Sequence, residues 1–163
     1  MKKEVKATAA SRSSIYVGME DIAEVIAERI AIGQSVELSP RGISMRPLLR
    51  EGRDTVTFTR APERLKKYDL PLYRRADGKY VLHRVVGFHD GKYVMCGDNQ
   101  YKKEQGIDHG QIIAIVSAIS RDGKHLNLRG PLYRAYVVLW CESRPLRYLA
   151  YRVLRKIKRI LLK

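Results

Sequence analysis

Three Asp-Gly-Lys triplets, Asp77-Gly78-Lys79, Asp90-Gly91-Lys92 and Asp122-Gly123-Lys124, separate short runs rich in β-branched and aromatic residues. A type I′ turn needs positive φ at both central positions, and Asp-Gly meets that need with little strain, so each triplet predicts a tight hairpin. The runs are "SVEL", "DTVTFTR", "LPLYRR", "KYVLHRVVGF", "KYVMCG" and "QIIAIVSAISR". They are too short and too β-branched for helices. Residues 34–128 are therefore expected to form an antiparallel, barrel-like β domain. The flanks of the triplets differ, so they do not mark a sequence repeat.

Helical periodicity holds on both sides of this domain. Residues 1–14 are expected to be disordered, and residues 15–33 to form a short amphipathic helix. In it Ile22, Val25, Ile26, Arg29 and Ile30 face one way, Glu20, Glu24 and Glu28 face the other, and Gly33 is a natural C-cap. Arg129-Gly130-Pro131 opens a basic segment over 129–163, with ten Lys or Arg residues and the single acid Glu142. From Leu146 on, Leu149, Ala150, Val153, Leu154, Ile157, Ile160 and Leu161 share one side of a helical wheel. Arg147, Arg152, Arg155, Lys156, Lys158, Arg159 and Lys163 share the other. An apolar stripe opposed by an almost purely basic face predicts a helix lying in a membrane interface. The competing expectation is a helix docked on its own domain with a solvated face. Trp140, Tyr133 and Tyr136 are residues of the kind found at headgroup depth.

The chain carries a formal net charge of +15, which implies an anionic partner. Cys96 and Cys141 have neither metal-ligand spacing nor a disulfide-rich context, so reduced thiols and no metal or other cofactor are expected. The N-terminal stretch lacks the apolar run of a secretory signal. No stretch reaches the ~18–20 apolar residues of a membrane span. Together these predict a cytoplasmic protein, peripheral at the inner face of the cell membrane.

One stretch fits neither strand nor helix. "RGISMRPLLREGRD" holds Ser44, Met45 and Pro47 in a turn, where serine ordinarily hydrogen-bonds its own backbone. It becomes a candidate nucleophile only if the fold supplies a base. His89, His109 and His125 have polar or turn-like surroundings and read as surface. His83 lies within "KYVLHRVVG", where alternation puts Val81, His83 and Val85 on one face and Leu82, Arg84 and Val86 on the other. A neutral imidazole there can take a proton from a serine. "CGDNQ" follows one hairpin later, and its Asp98 is placed to return towards His83 and fix the imidazole tautomer.

"GISMRPLLREGRD", "YVLHRVVGF" and "MCGDNQ", taken in order, resemble the three boxes of the type I signal peptidase superfamily. The likeness spans about residues 34–120. It implies a mainly β peptidase fold of the kind shared with self-cleaving repressors, flanked here by a short N-terminal helix and C-terminal amphipathic basic helices. Its second box carries His83 where bacterial signal peptidases use lysine, which resembles the archaeal and endoplasmic-reticulum-type enzymes. The resemblance implies Ser44 as nucleophile, His83 as general base, and Met45 and Pro47 as shapers of the turn that presents the serine. It puts Gly42 at the position, two before the serine, that often helps the oxyanion hole, so that hole is expected to lean on backbone N–H groups, including that of Ser44. The third box makes Asp98 the favoured acid, with Glu104 or Asp108 as the alternative third member. The chain departs from the family in having a short charged helix where an anchor usually precedes the serine. The Gly-Asp pair after the serine box is split here by Arg53.

The expected function is a serine endopeptidase that cleaves an extended segment of a peptide or precursor protein, held at an anionic membrane surface through Trp140, Arg147, Arg152, Arg155, Lys156, Lys158 and Arg159. The alternative is a non-catalytic module of the same fold whose basic tail binds anionic lipid, nucleic acid or a protein. Nucleic acid is the weaker partner, because no zinc-finger, helix-turn-helix or RNA-binding motif is present.

Overall fold

In a computed structural model of the chain, residues 19–161 are described. The stretch expected to be disordered, the first residues of the expected N-terminal helix, and Leu162 and Lys163 lie outside them. Helix α1 (Met19–Ala31) precedes strands β1 (Val36–Leu38), β2 (Asp54–Thr59), β3 (Pro71–Arg74), β4 (Tyr80–Leu82), β5 (Arg84–His89), β6 (Lys92–Cys96), β7 (Glu104–Ile107), β8 (Ile112–Arg121) and β9 (Lys124–His125). Helices α2 (Pro131–Glu142) and α3 (Arg144–Leu161) follow. The strands form two antiparallel sheets. One runs β1-β2-β8-β3-β4, with β9 added to β8, and the other runs β5-β6-β7. Antiparallel sheets with helices at both ends of the chain are the architecture expected.

Two of the three hairpin turns form as predicted, with Asp90 and Gly91 at φ 49° and 74° and Asp122 and Gly123 at 49° and 75°. The third differs. Between β3 and β4 only Gly78 takes positive φ, and the Arg75 N–H closes a longer loop on the Lys79 carbonyl at 2.8 Å. Hairpins longer than two residues commonly close with a single left-handed glycine. The expected continuous strand through His83 is also interrupted. The chain leaves the first sheet after Leu82 and enters the second at Arg84, so His83 sits at the crossing.

One core cluster joins Ile26 and Ile30 of α1 to Val56, Phe58, Leu72 and Ile119 of the larger sheet, with Met45, Leu48 and Leu49 of the serine turn. Alternation along β2 buries Asp54, Val56 and Phe58. In α1 the inward stripe is Ala23, Ile26 and Ile30, while Val25 is exposed, contrary to expectation. Gly33 at φ 80° ends the helix, and the Gln34 N–H caps the Arg29 carbonyl at 2.9 Å. A second cluster, with Leu65, Tyr73, Val85, Tyr93, Met95 and Ile107, lies against the smaller sheet.

The C-terminal helices behave differently from each other. Helix α2 is docked, with Val137 and Cys141 buried and Tyr133 and Tyr136 against the first cluster. The Trp140 indole N–H donates to the Asp98 carbonyl at 2.8 Å, and the Arg147 guanidinium lies 3.9 Å from the Trp140 ring centre. Trp140, Tyr133, Tyr136 and Arg147, expected at headgroup depth or on the basic face, are therefore partly packed against the domain. Beyond Arg147, α3 touches the domain through Tyr148 and Tyr151, whose ring centres lie 5.1 and 5.7 Å from that of Tyr101, and its apolar stripe is not docked. Every residue from Leu149 to Ile160 is exposed, including the apolar Leu149, Val153, Leu154, Ile157 and Ile160. The competing expectation, that this helix packs its apolar stripe on its own domain, does not hold. No helix among the described residues is long and apolar enough to cross a membrane.

Asp54 is fully buried and ties the serine turn to the sheet. It accepts from the Arg50 N–H at 2.8 Å, from Arg53 at 2.8 and 2.6 Å, and from Arg121 Nε at 3.0 Å. Arg121 Nη2 donates in turn to the Leu48 carbonyl at 2.9 Å. Burial alone would raise the Asp54 pKa, but the donors outweigh it and pull it down to about 2. A depressed carboxylate pKa stabilises the fold above the unfolded-state value and stops doing so as pH falls through the folded-state value. Urea unfolding between pH 5 and 2 should show wild type losing about 2 kcal/mol more than Asp54→Asn. Equal losses in the two proteins would contradict this role.

Candidate functional site

The turn at Arg41–Leu48 is held at both ends. Behind it stands Asp54. In front, the Asn99 N–H donates to the Ser44 carbonyl at 2.8 Å, and Asn99 Nδ2 donates to the Ile43 carbonyl at 3.2 Å. Met45, Leu48 and Leu49 are buried beneath it and anchor it hydrophobically. Pro47 follows a cis peptide bond, and Ser44 itself is half-buried. Gly42, at φ 89°, has its N–H on the Glu51 carboxylate at 3.2 Å, so it is the Ser44 N–H, not that of Gly42, that has no intramolecular partner among the described residues.

Ser44 and His83 line one cavity of about 280 Å³, together with Gly42, Met45, Tyr80 and Gln100. Gly97 explains how close they come. A Cβ there would meet the Ser44 carbonyl oxygen at 2.7 Å and His83 Nε2 at 3.1 Å, so any side chain at position 97 would wedge the serine turn away from the imidazole. Neither Ser44 Oγ nor His83 Nε2 has a hydrogen-bond partner among the described residues. Catalytic hydrogen bonds are often long until substrate binds.

The other imidazole nitrogen is held firmly. His83 Nδ1 lies 3.1 Å from Glu104 Oε1 and 3.4 Å from the Tyr73 hydroxyl. Glu104 accepts from the Tyr73 hydroxyl at 2.9 Å and from Arg75 Nε at 2.7 Å, with a second, shorter contact from Arg75 Nη2. A carboxylate only accepts, so Nδ1 carries the proton and Nε2 presents a lone pair to the cavity. His83 is 2% exposed. Burial disfavours its imidazolium and outweighs the pull of Glu104, holding the pKa below its ordinary 6.5. Burial pushes Glu104 upward, but the Arg75 and Tyr73 hydrogen bonds win and keep it ionised.

The acid favoured by sequence is elsewhere. Asp98 turns both oxygens to Arg84, at 2.7 and 2.6 Å, and both side chains are fully buried. Alternation explains this: Arg84 points to the face opposite His83, and Asp98 follows it there. Asp108 is at the surface, paired with Lys92 at 3.0 Å. Glu104, one of the two alternatives, is the residue on His83. Arg75 and Tyr73 were missed, since nothing in "LPLYRR" marks a role. Gly97 and Asn99 stood within a box noted for its aspartate alone. His89 is exposed, and His109 and His125 bond locally to Tyr93 and Ser120.

No family model, no curated protein and no solved structure matches this chain.

The geometry separates the two acids experimentally. Glu104→Gln removes the charge that favours the imidazolium and frees Arg75 to oppose it, so the His83 pKa, read by imidazole NMR, should fall further and the Nδ1–H preference should weaken. Asp98→Asn should leave the tautomer intact and instead destabilise folding by about 3–5 kcal/mol, because Arg84 is left buried without its counter-charge. A His83 titration unmoved by Glu104→Gln would remove Glu104 from this role.

Proposed function

We propose that the protein is a serine endopeptidase in which Ser44 is the nucleophile, His83 the general base and Glu104 the acid that orients it. The observation that carries this reading is the placement of His83: buried, with Nδ1 3.1 Å from Glu104, on the wall of the cavity that Ser44 also lines. In the reaction His83 Nε2 takes the Ser44 hydroxyl proton as Oγ bonds to a peptide carbonyl carbon. The Ser44 N–H, unpaired among the described residues, faces the developing oxyanion. The imidazolium then gives its proton to the departing amine and an acyl-enzyme remains. Water, deprotonated by the same imidazole, releases the acid. Tyr73 and Arg75 position Glu104, and Arg75 also lines the cavity.

The substrate class follows from the sheet. Leu38 of β1 and Tyr80, Val81 and Leu82 of β4 line the cavity, and β1 and β4 are the two edges of the larger sheet. An extended peptide can pair with such an edge and reach the serine. The lining of Ile26, Met45, Leu49 and Phe58 favours small apolar side chains beside the scissile bond, as the resemblance to signal peptidases also implies. Helix α3, with its exposed apolar stripe and its Arg152, Arg155, Lys156, Lys158 and Arg159, supports placement of this site at an anionic membrane surface.

A fluorophosphonate probe should phosphonylate wild type at Ser44, with loss of fluoride, as read by peptide mass mapping, and leave Ser44→Ala unlabelled. The variant should keep its stability within about 0.5 kcal/mol, since no hydrogen bond of the hydroxyl is lost. Folded wild-type protein that takes no label, or labels equally in both proteins, would leave the fold as a binding module.

A further inference from the structure

A second cavity, of about 500 Å³, opens where α3 leaves the domain, lined by Tyr101, Lys102, Lys103, Arg144, Pro145 and Tyr148. Arg144 is 5% exposed, and its Nε and Nη2 are buried without a hydrogen-bond partner. A buried guanidinium without a counter-ion is costly, and the cost falls when an anion binds. Glu142 also borders the cavity and its charge acts on Arg144, but its hydrogen bonds, both through Oε1, go to Lys67 Nζ at 2.8 Å and the Tyr68 hydroxyl at 2.7 Å and none goes to Arg144. Lys102 and Lys103 are exposed at the rim, so three cations border a cavity with one carboxylate among its lining residues. Arg144 also begins α3, and the positive end of a helix adds to the field for an anion.

We propose that this cavity binds the phosphate of an anionic phospholipid headgroup. The guanidinium and the two ammonium groups suit phosphate oxygens. The choice of a lipid over a free phosphate rests on the membrane half of the function proposed above. The cavity lies at the root of the helix whose apolar residues Leu149, Val153, Ile157 and Ile160 stand exposed, and Tyr148 lines the cavity, so a headgroup held by Arg144 leaves its acyl chains beside that stripe. The segment from Gln100 to Glu104 connects the two sites. Gln100 lines the serine cavity, Tyr101, Lys102 and Lys103 line the anion cavity, and Glu104 holds His83.

Trp140, the sole tryptophan, precedes cavity-lining Cys141 and stacks under Arg147, so its fluorescence reports on this corner. Titrating the full chain with dihexanoyl phosphatidylglycerol, kept monomeric, should give a saturable one-site change. Arg144→Gln should weaken it about tenfold, the loss of one charge-assisted hydrogen bond, and so should the rim variants Lys102→Gln and Lys103→Gln, which decide the matter if Arg144→Gln fails to fold. Lys124→Gln, exposed on β9, should leave it unchanged. Inorganic phosphate binding as tightly as the lipid would overturn the lipid source, and N-acetyl-aspartate binding as tightly would make the site one for a peptide carboxylate. A non-saturable response, or one that the rim variants do not change, would overturn the site altogether. Sedimentation with phosphatidylglycerol vesicles separates this proposal from the reading it rests on: vesicle binding without saturable monomer binding removes the cavity and keeps the α3 reading, and loss of both removes both.

Discussion

The buried pair of Arg84 and Asp98 fixes where everything else in the site can be. Both side chains are sealed from solvent and joined by two parallel hydrogen bonds. Neither charge tolerates separation at that depth, so β5 and the turn after β6 have one register relative to each other. The neighbours of each residue then do the positioning. His83, next to Arg84, is turned to the other face. Gly97 and Asn99, on either side of Asp98, meet the serine turn, one by lacking a side chain and one by donating two hydrogen bonds. The Asp98 carbonyl receives Trp140 and Arg84 reaches the Tyr68 carbonyl, so the same pair also seats α2.

This arrangement divides the acids by role. A carboxylate locked to a buried guanidinium has both oxygens occupied and serves architecture. Glu104 stands at the edge of the second sheet, partly exposed, held by the part-exposed Arg75 and by the buried Tyr73 and His83. Its partners keep it charged while leaving it able to accept a hydrogen bond from the imidazole. The loop that carries Arg75 is the one hairpin that did not close as a two-residue turn, and its extra length is what takes Arg75 out of the strand ladder and onto Glu104.

The local part of this structure was legible and the long-range part was not. The strands that alternate or run apolar, such as "DTVTFTR" and "QIIAIVSAISR", appear where their patterns put them, because burial of one face selects strand geometry directly. β7 left no such pattern: Glu104, Gln105 and Gly106 are polar or small, and the segment is a strand because β6 supplies its partners. Ser44 and His83 stood out because their surroundings are unusual for their types, and the fold brings both to one cavity. Asp98 was favoured with Glu104 or Asp108 as the alternative, and the structure pairs Asp98 with Arg84 and sets Glu104 beside His83, a division made by tertiary contacts that no sequence pattern shows. Trp140 and Arg147 looked like membrane residues for the same reason, since their partners, the Asp98 carbonyl and each other, are invisible until α2 and α3 turn at Ser143. The exposed stripe of α3, by contrast, is written in its own periodicity.

The central claim is that a buried, neutral His83 activates Ser44. The pH dependence of Ser44 acylation by a neutral probe tests it most directly. The rate should be half-maximal below pH 6.5, because burial lowers the pKa of the base, then stay level through neutral pH and fall only as acid protonates the imidazole. A rate that keeps climbing through alkaline pH, with no inflection below 6.5, would show that the serine reacts without His83.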